Sequence, residues 1–207
     1  SGCESSRYSC LDNQMKTQCE AMLDLSQSLL LPTDRLFIFG SSRKDRNIDI
    51  CQNQKIVHCN IAHTNIIGLT FDQLGIVHLH EDEFQRFPEL QTLTIRGNSI
   101  KIIEKNTFQG LSKLIELDLS ENKIESIEEG AFAGLSNLFV LDIHQNQLKA
   151  LPAKLFTPLV SLRTLSLASN QISTLAPYQW EALVELTDVN LKDNEIESLP
   201  DVFPVHS

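Results

Sequence analysis

The 207-residue chain has little aromatic character, 6%, and its apolar share of 42% is mostly Leu and Ile. That apolar share affords a sizeable core and excludes disorder as the default. No apolar run approaches the ~18–20 residues that a bilayer requires, so no membrane-spanning helix is expected. No N-x-[ST] sequon occurs, so N-glycans restrict access to neither face. The G-x-S-x-G, G-x-G-x-x-G, phosphate-loop and H-E-x-x-H patterns are all missing. The expectation is therefore no enzyme, no cofactor and no catalytic residue.

Cysteine is absent after residue 59; all five, Cys3, Cys10, Cys19, Cys51 and Cys59, precede that point. Such clustering suits an oxidised terminal cap on a secreted, extracellular chain. A zinc site would want a C-x2-C pair, and none exists. Five is odd, so after two pairs one thiol is left over. It stays free, bridges to another chain as a disulfide-linked oligomer, or pairs with a cysteine beyond Ser207. The start at Ser1 rather than Met is expected of a processed or trimmed product whose signal peptide has gone.

The net charge of −10 is unevenly placed. Residues 1–65 hold seven basic and seven acidic groups, and the rest hold ten basic and twenty acidic. That field repels phosphate backbones and suits a basic protein partner rather than nucleic acid.

What the chain does contain is a repeat. Five segments recur at a spacing of 24: LQTLTIRGNSI from Leu90, LIELDLSENKI from Leu114, LFVLDIHQNQL from Leu138, LRTLSLASNQI from Leu162 and LTDVNLKDNEI from Leu186. A sixth, IIGLTFDQLGI, starts at Ile66, with Leu74 in place of the asparagine. All follow L-x-x-L-x-L-x-x-N-x-L. Phe84, Phe108, Phe132, Phe156 and Trp180 form a second column in the same register. A repeat that cannot bury its own apolar face must stack on copies of itself. The x-L-x-L-x core alternates with period two, which predicts a short strand with leucines inward. Asn98, Asn122, Asn146, Asn170 and Asn194 fall where the chain leaves that strand. An amide there can satisfy unpaired backbone groups as a ladder from coil to coil.

The pattern resembles the extracellular leucine-rich-repeat family in its 24-residue class, and the tails LKALPAKLFTPLVS and IESIEEGAFAGLSN resemble the family's second half. The resemblance implies an α/β solenoid, a horseshoe with a parallel concave sheet, an irregular convex side and a disulfide-stapled N-terminal cap. It places the cap at 1–65 and the array at 66–207, with six repeats starting near 66, 90, 114, 138, 162 and 186. A C-terminal cysteine-rich cap is absent or truncated, so the mature chain is expected to continue.

Within 1–65, QMKTQCEAMLDLSQSLL reads as an amphipathic cap helix and LFIF, 36–39, as a buried strand. The stretch NIDICQNQKIVHCNI reads as a hairpin, with Cys51 and Cys59 flanking its turn. His78 and His80, two apart in VHLHEDEF, would share one face of a strand and suggest a metal pair. Their columns elsewhere hold Ile102, Ser126 and Ala150, and Glu104, Glu128 and Pro152. No metal is therefore expected, and both read as solvent-side variation.

The outward strand columns are the candidate binding surface, because no core dictates their residues. Glu116, Asp118, Val140, Asp142 and His144, beside Glu121 and Phe139, make an acidic patch with an apolar centre suited to a Lys/Arg-bearing protein. The resemblance implies recognition of a protein partner by the concave face, in innate immunity, receptor signalling, matrix or host interaction. The alternative is a structural assembly subunit, joined to its partner through the unpaired cysteine.

Overall fold

A computed structural model describes residues 35–39 and 48–49 as backbone, and residues 67–73, 75–79, 84–85 and 87–200 in full. The five cysteines, the cap helix, the second hairpin arm, Leu74 and His80 lie outside the described residues.

The x-L-x-L-x segments form the strands that their period-two pattern predicts. They are β3 (Gly68–Asp72), β5 (Thr92–Thr94), β7 (Glu116–Asp118), β9 (Val140–Asp142), β10 (Thr164–Ser166) and β11 (Asp188–Asn190). With β1 (Arg35–Phe39) they build one sheet in the order β1-β3-β5-β7-β9-β10-β11. Every pair in it is parallel and in register, so Gly68, Thr92, Glu116, Val140, Thr164 and Asp188 form one row. The inward Leu69, Leu93, Leu117, Leu141 and Leu165 are buried, as are Ile95, Leu119, Ile143 and Leu167. Each coil thus seals its leucines against its neighbours, and the sheet is one wall of a continuous core.

The other wall is looser. Short parallel pairs join β2 (Ile48–Asp49) to β4 (Ile76–His78), and β6 (Ile102–Ile103) to β8 (Ser126–Ile127). Helix is confined, among the described residues, to one 3-10 turn, Pro177–Gln179. Aromatic rings fill the space that longer helices would occupy. Phe84 stacks on Phe108 at 5.9 Å, Phe108 on Phe132 at 6.1 Å, and Phe156 meets Trp180 at 5.8 Å. Such pairs contribute about 0.5–1.5 kcal/mol beyond their buried area. Gln179 occupies the column of Thr107, Ala131 and Leu155, and is buried like them. Its amide donates to the Leu151 carbonyl at 2.6 Å and accepts from the Ala176 N–H at 2.8 Å, which ties the 3-10 turn to the preceding coil.

Residues 36–39 lie in a strand, as expected, and the second arm of the expected hairpin lies outside the described residues. Ile48–Asp49 pairs in parallel with Ile76–His78, as β6 pairs with β8 two coils later. Arg35–Phe39 pairs in parallel with Gly68–Asp72. Together they occupy both strand positions of a further coil. The reason is backbone satisfaction: strands β3 and β4 present unpaired N–H and C=O groups on their outer edges, and β1 and β2 meet them.

Where each strand ends, the chain enters the left-handed region. Gln73, Gly97, Glu121, Gln145, Ser169 and Asp193 all have φ between 53° and 70°. From that conformation Gln73, Gly97, Glu121, Gln145 and Ser169 each donate their N–H to a carbonyl of the next coil, at 2.8–3.1 Å. The asparagine follows at once. Asn122 accepts from the Ile100 N–H at 3.2 Å and donates to the carbonyls of Ile95, Leu119 and Ser120. Asn98, Asn146, Asn170 and Asn194 repeat this pattern with their own neighbours.

Candidate binding face

Strand alternation turns every second side chain of the sheet outward. Register then brings together residues that are 24 apart in sequence. Glu116 lies beside Val140, and Asp118 beside Asp142, on neighbouring strands. With strands about 4.8 Å apart, these side chains form one surface.

Local chemistry explains part of this composition. The Asp118 Oδ1 accepts the Ser120 backbone N–H at 2.9 Å, and the Asp142 Oδ1 accepts that of His144 at 3.0 Å. Asn190 does the same for Lys192 at 3.1 Å. A short side chain with an acceptor is favoured there because it caps the exit from the strand. Each aspartate therefore has a structural task and still offers a carboxylate to solvent.

Part of the patch is already engaged from within. The His144 ring lies with Nδ1 2.7 Å from the Asp142 carboxylate. Arg96 donates to Glu121 at 2.6 Å, and this bond, then the charges of Glu121 and Asp118, hold its guanidinium protonated even above its usual range. Glu121 is thus committed to Arg96. Ser120, between Arg96 and His144 in the third outward column, is fully buried, and its hydroxyl has no partner among the described residues. One coil before Arg96, burial pushes the Asp72 carboxyl above its ordinary range; the Asp118 charge adds to this and Arg96 opposes it.

Along the entry edge of the sheet runs a row that no repeat pattern marks: Gln91, Ile115, Phe139 and Arg163. The Phe139 N–H donates to the Ile115 carbonyl at 2.8 Å, and the Arg163 N–H to that of Phe139 at 2.9 Å, so the three are in lateral contact. The Arg163 guanidinium sits 4.9 Å from the centre of the Phe139 ring and 3.7 Å from Glu185. Ile115 is 37% exposed, although most large apolar side chains here are buried.

Of the two histidines only His78 is among the described residues. His78 Nε2 lies 3.7 Å from Glu104, and the described residues contain no group of three His, Cys, Asp or Glu side chains able to hold an ion.

The family model for leucine-rich repeats matches residues 88–148 and again 137–196, together more than half of the chain. The chain belongs to the leucine-rich-repeat family. No curated protein matches it. Among solved leucine-rich-repeat structures, the TLR13–ssRNA13 complex is similar over 62% of this chain and 22% of that one, with 27% identity and a TM-score of 0.56. The leucine-rich repeat domain of APL1B is similar over 61% of this chain and 38% of that one, with 25% identity and a TM-score of 0.57. The chain spans well under half of either protein's length.

Proposed function

We propose that this leucine-rich-repeat chain is a non-enzymatic, extracellular binding module that recognises a protein partner through the outward face of its parallel sheet. One observation carries the reading. Strands β7 and β9 present Glu116, Asp118 and Asp142 side by side around Val140, and no lysine or arginine shares those two strands. Packing does not require charges at those outward positions, so they are available to a partner. TLR13 is seen in complex with ssRNA13. The acidic centre of this face supports a protein rather than a phosphate polymer, whose charge it repels. The five cysteines support an extracellular setting, and the likeness to TLR13 supports a role in innate immunity or receptor signalling.

A photo-crosslinking residue placed at Thr164, on this face, should trap one protein species from the source fluid. The same residue at Lys154, on the convex side, should trap none. Equal trapping at both positions contradicts the reading.

The odd cysteine count supports a second reading, an assembly subunit held by an intermolecular disulfide. Electrophoresis with and without reductant separates the two, because only the second reading requires a change in size.

A further inference from the structure

Resting on that reading, we infer that the partner is a basic protein segment whose apolar side chain docks on Ile115, Phe139 and Val140 while flanking Lys or Arg side chains meet Glu116, Asp118 and Asp142. The backbones of the anchor residues are adjacent. Ile115 accepts backbone hydrogen bonds from both Phe139 and Val140, at 2.8 and 3.0 Å, so the three belong to one corner of the sheet. An apolar spot of this kind is out of place on a face of Thr, Ser, Asp and Glu. Interfaces are built from such a centre inside a polar rim.

Charge selects the occupant. The cations around the anchor are already engaged: Arg96 by Glu121 at 2.6 Å, and Arg163 by the Phe139 ring and Glu185. Glu116 is exposed and has no ion pair among the described residues. Asp118 and Asp142 have one oxygen each on a backbone N–H, which leaves the other for an incoming cation. An acidic segment would meet uncompensated repulsion here, and a purely apolar one would leave the carboxylates desolvated. Arg163 stacked on Phe139 also keeps that ring in place before the partner arrives.

Panning the whole chain with a phage-displayed random 12-residue library tests this. The expected winners carry Lys or Arg on both sides of an aromatic or branched apolar residue. Ile115→Ser, Val140→Ser and the pair Asp118→Asn with Asp142→Asn should each weaken their binding at least tenfold, and the charge pair should do so most strongly at low salt. These variants alter exposed or half-exposed side chains, and a melting curve beside each measurement confirms the fold. Acidic winners, no enrichment, or binding indifferent to these variants would overturn the inference. If binding is instead lost in Asp188→Lys with Lys192→Glu, at the far end of the face, the concave reading stands and the anchor falls. If only the convex Lys154→Glu weakens binding, the concave reading falls as well.

Discussion

Asn146 spans a coil boundary: its Nδ2 donates to the Leu119 carbonyl at 3.1 Å, 27 residues earlier in the chain. Its Oδ1 meanwhile accepts from the Ile124 N–H at 2.9 Å. Alanine at this position strands that buried N–H and three carbonyl contacts. The expected loss is about 1–3 kcal/mol for the N–H alone. Thermal or urea unfolding of Asn146→Ala should show it, and an unchanged midpoint would mean that the ladder does not bear stability.

The left-handed column predicts an unusual gain. A side chain at positive φ costs about 1–2 kcal/mol relative to glycine, and glycine's extra freedom when unfolded returns roughly half of that. Gln145, at φ 53°, is exposed and contributes only its backbone N–H, to Ala168. Gln145→Gly should therefore stabilise by about 0.5 kcal/mol. Gly97→Ala should destabilise, since φ is 70° and a Cβ would approach the Gln73 Cγ to 2.9 Å. Paired denaturant melts of the two variants check the opposite signs.

Asp72 makes stability depend on pH in a stated direction. Its carboxyl is raised above 3.8, first by burial. The folded form therefore holds the proton at pH values where the unfolded form has released it. This stabilisation is complete below the unfolded value and is lost as pH rises through the folded one. Asp72→Asn should melt higher than the parent at pH 7, with the gap closing as pH falls towards 4. A gap that widens on acidification would show that the carboxylate is stabilised where it sits.

The aspartates of the binding face separate charge from turn chemistry. Asp142→Asn keeps the acceptor for the His144 N–H, whereas Asp142→Ala removes it. The asparagine variant should stay within about 0.5 kcal/mol of the parent, and the alanine variant should lose about 0.5–1.5 kcal/mol. Equal stability of the two would assign the aspartate to binding alone.

Cysteine oxidation is checked by thiol titration of the unreduced monomer. One reactive thiol at most is expected from five cysteines. Three or more would remove the support for an oxidised cap and for the extracellular setting.

Much of this fold is legible in the letters because every coil faces the same packing problem. Leu93, Leu117, Leu141 and Leu165 answer it identically, and so do Phe108, Phe132 and Phe156, so a spacing of 24 announces the stacking and register of the strands. The left-handed turns were not legible, since only Gly97 of the six carries the residue that signals them. The backbone adopts that conformation elsewhere because the neighbouring coil's carbonyl waits for the N–H. The joining of Ile48 to Ile76, and of Arg35 to Gly68, departs from the 24-residue spacing, and no period reveals it. On the outward face the sequence by itself determined which residues share a row. Only the tertiary structure decided that Arg96 is spent on Glu121, that Asp142 holds His144, and that Ile115 and Phe139 form a corner with Val140. Variable positions carry no periodic signal, and their partners are set by which coil stacks on which and by which side chains reach across.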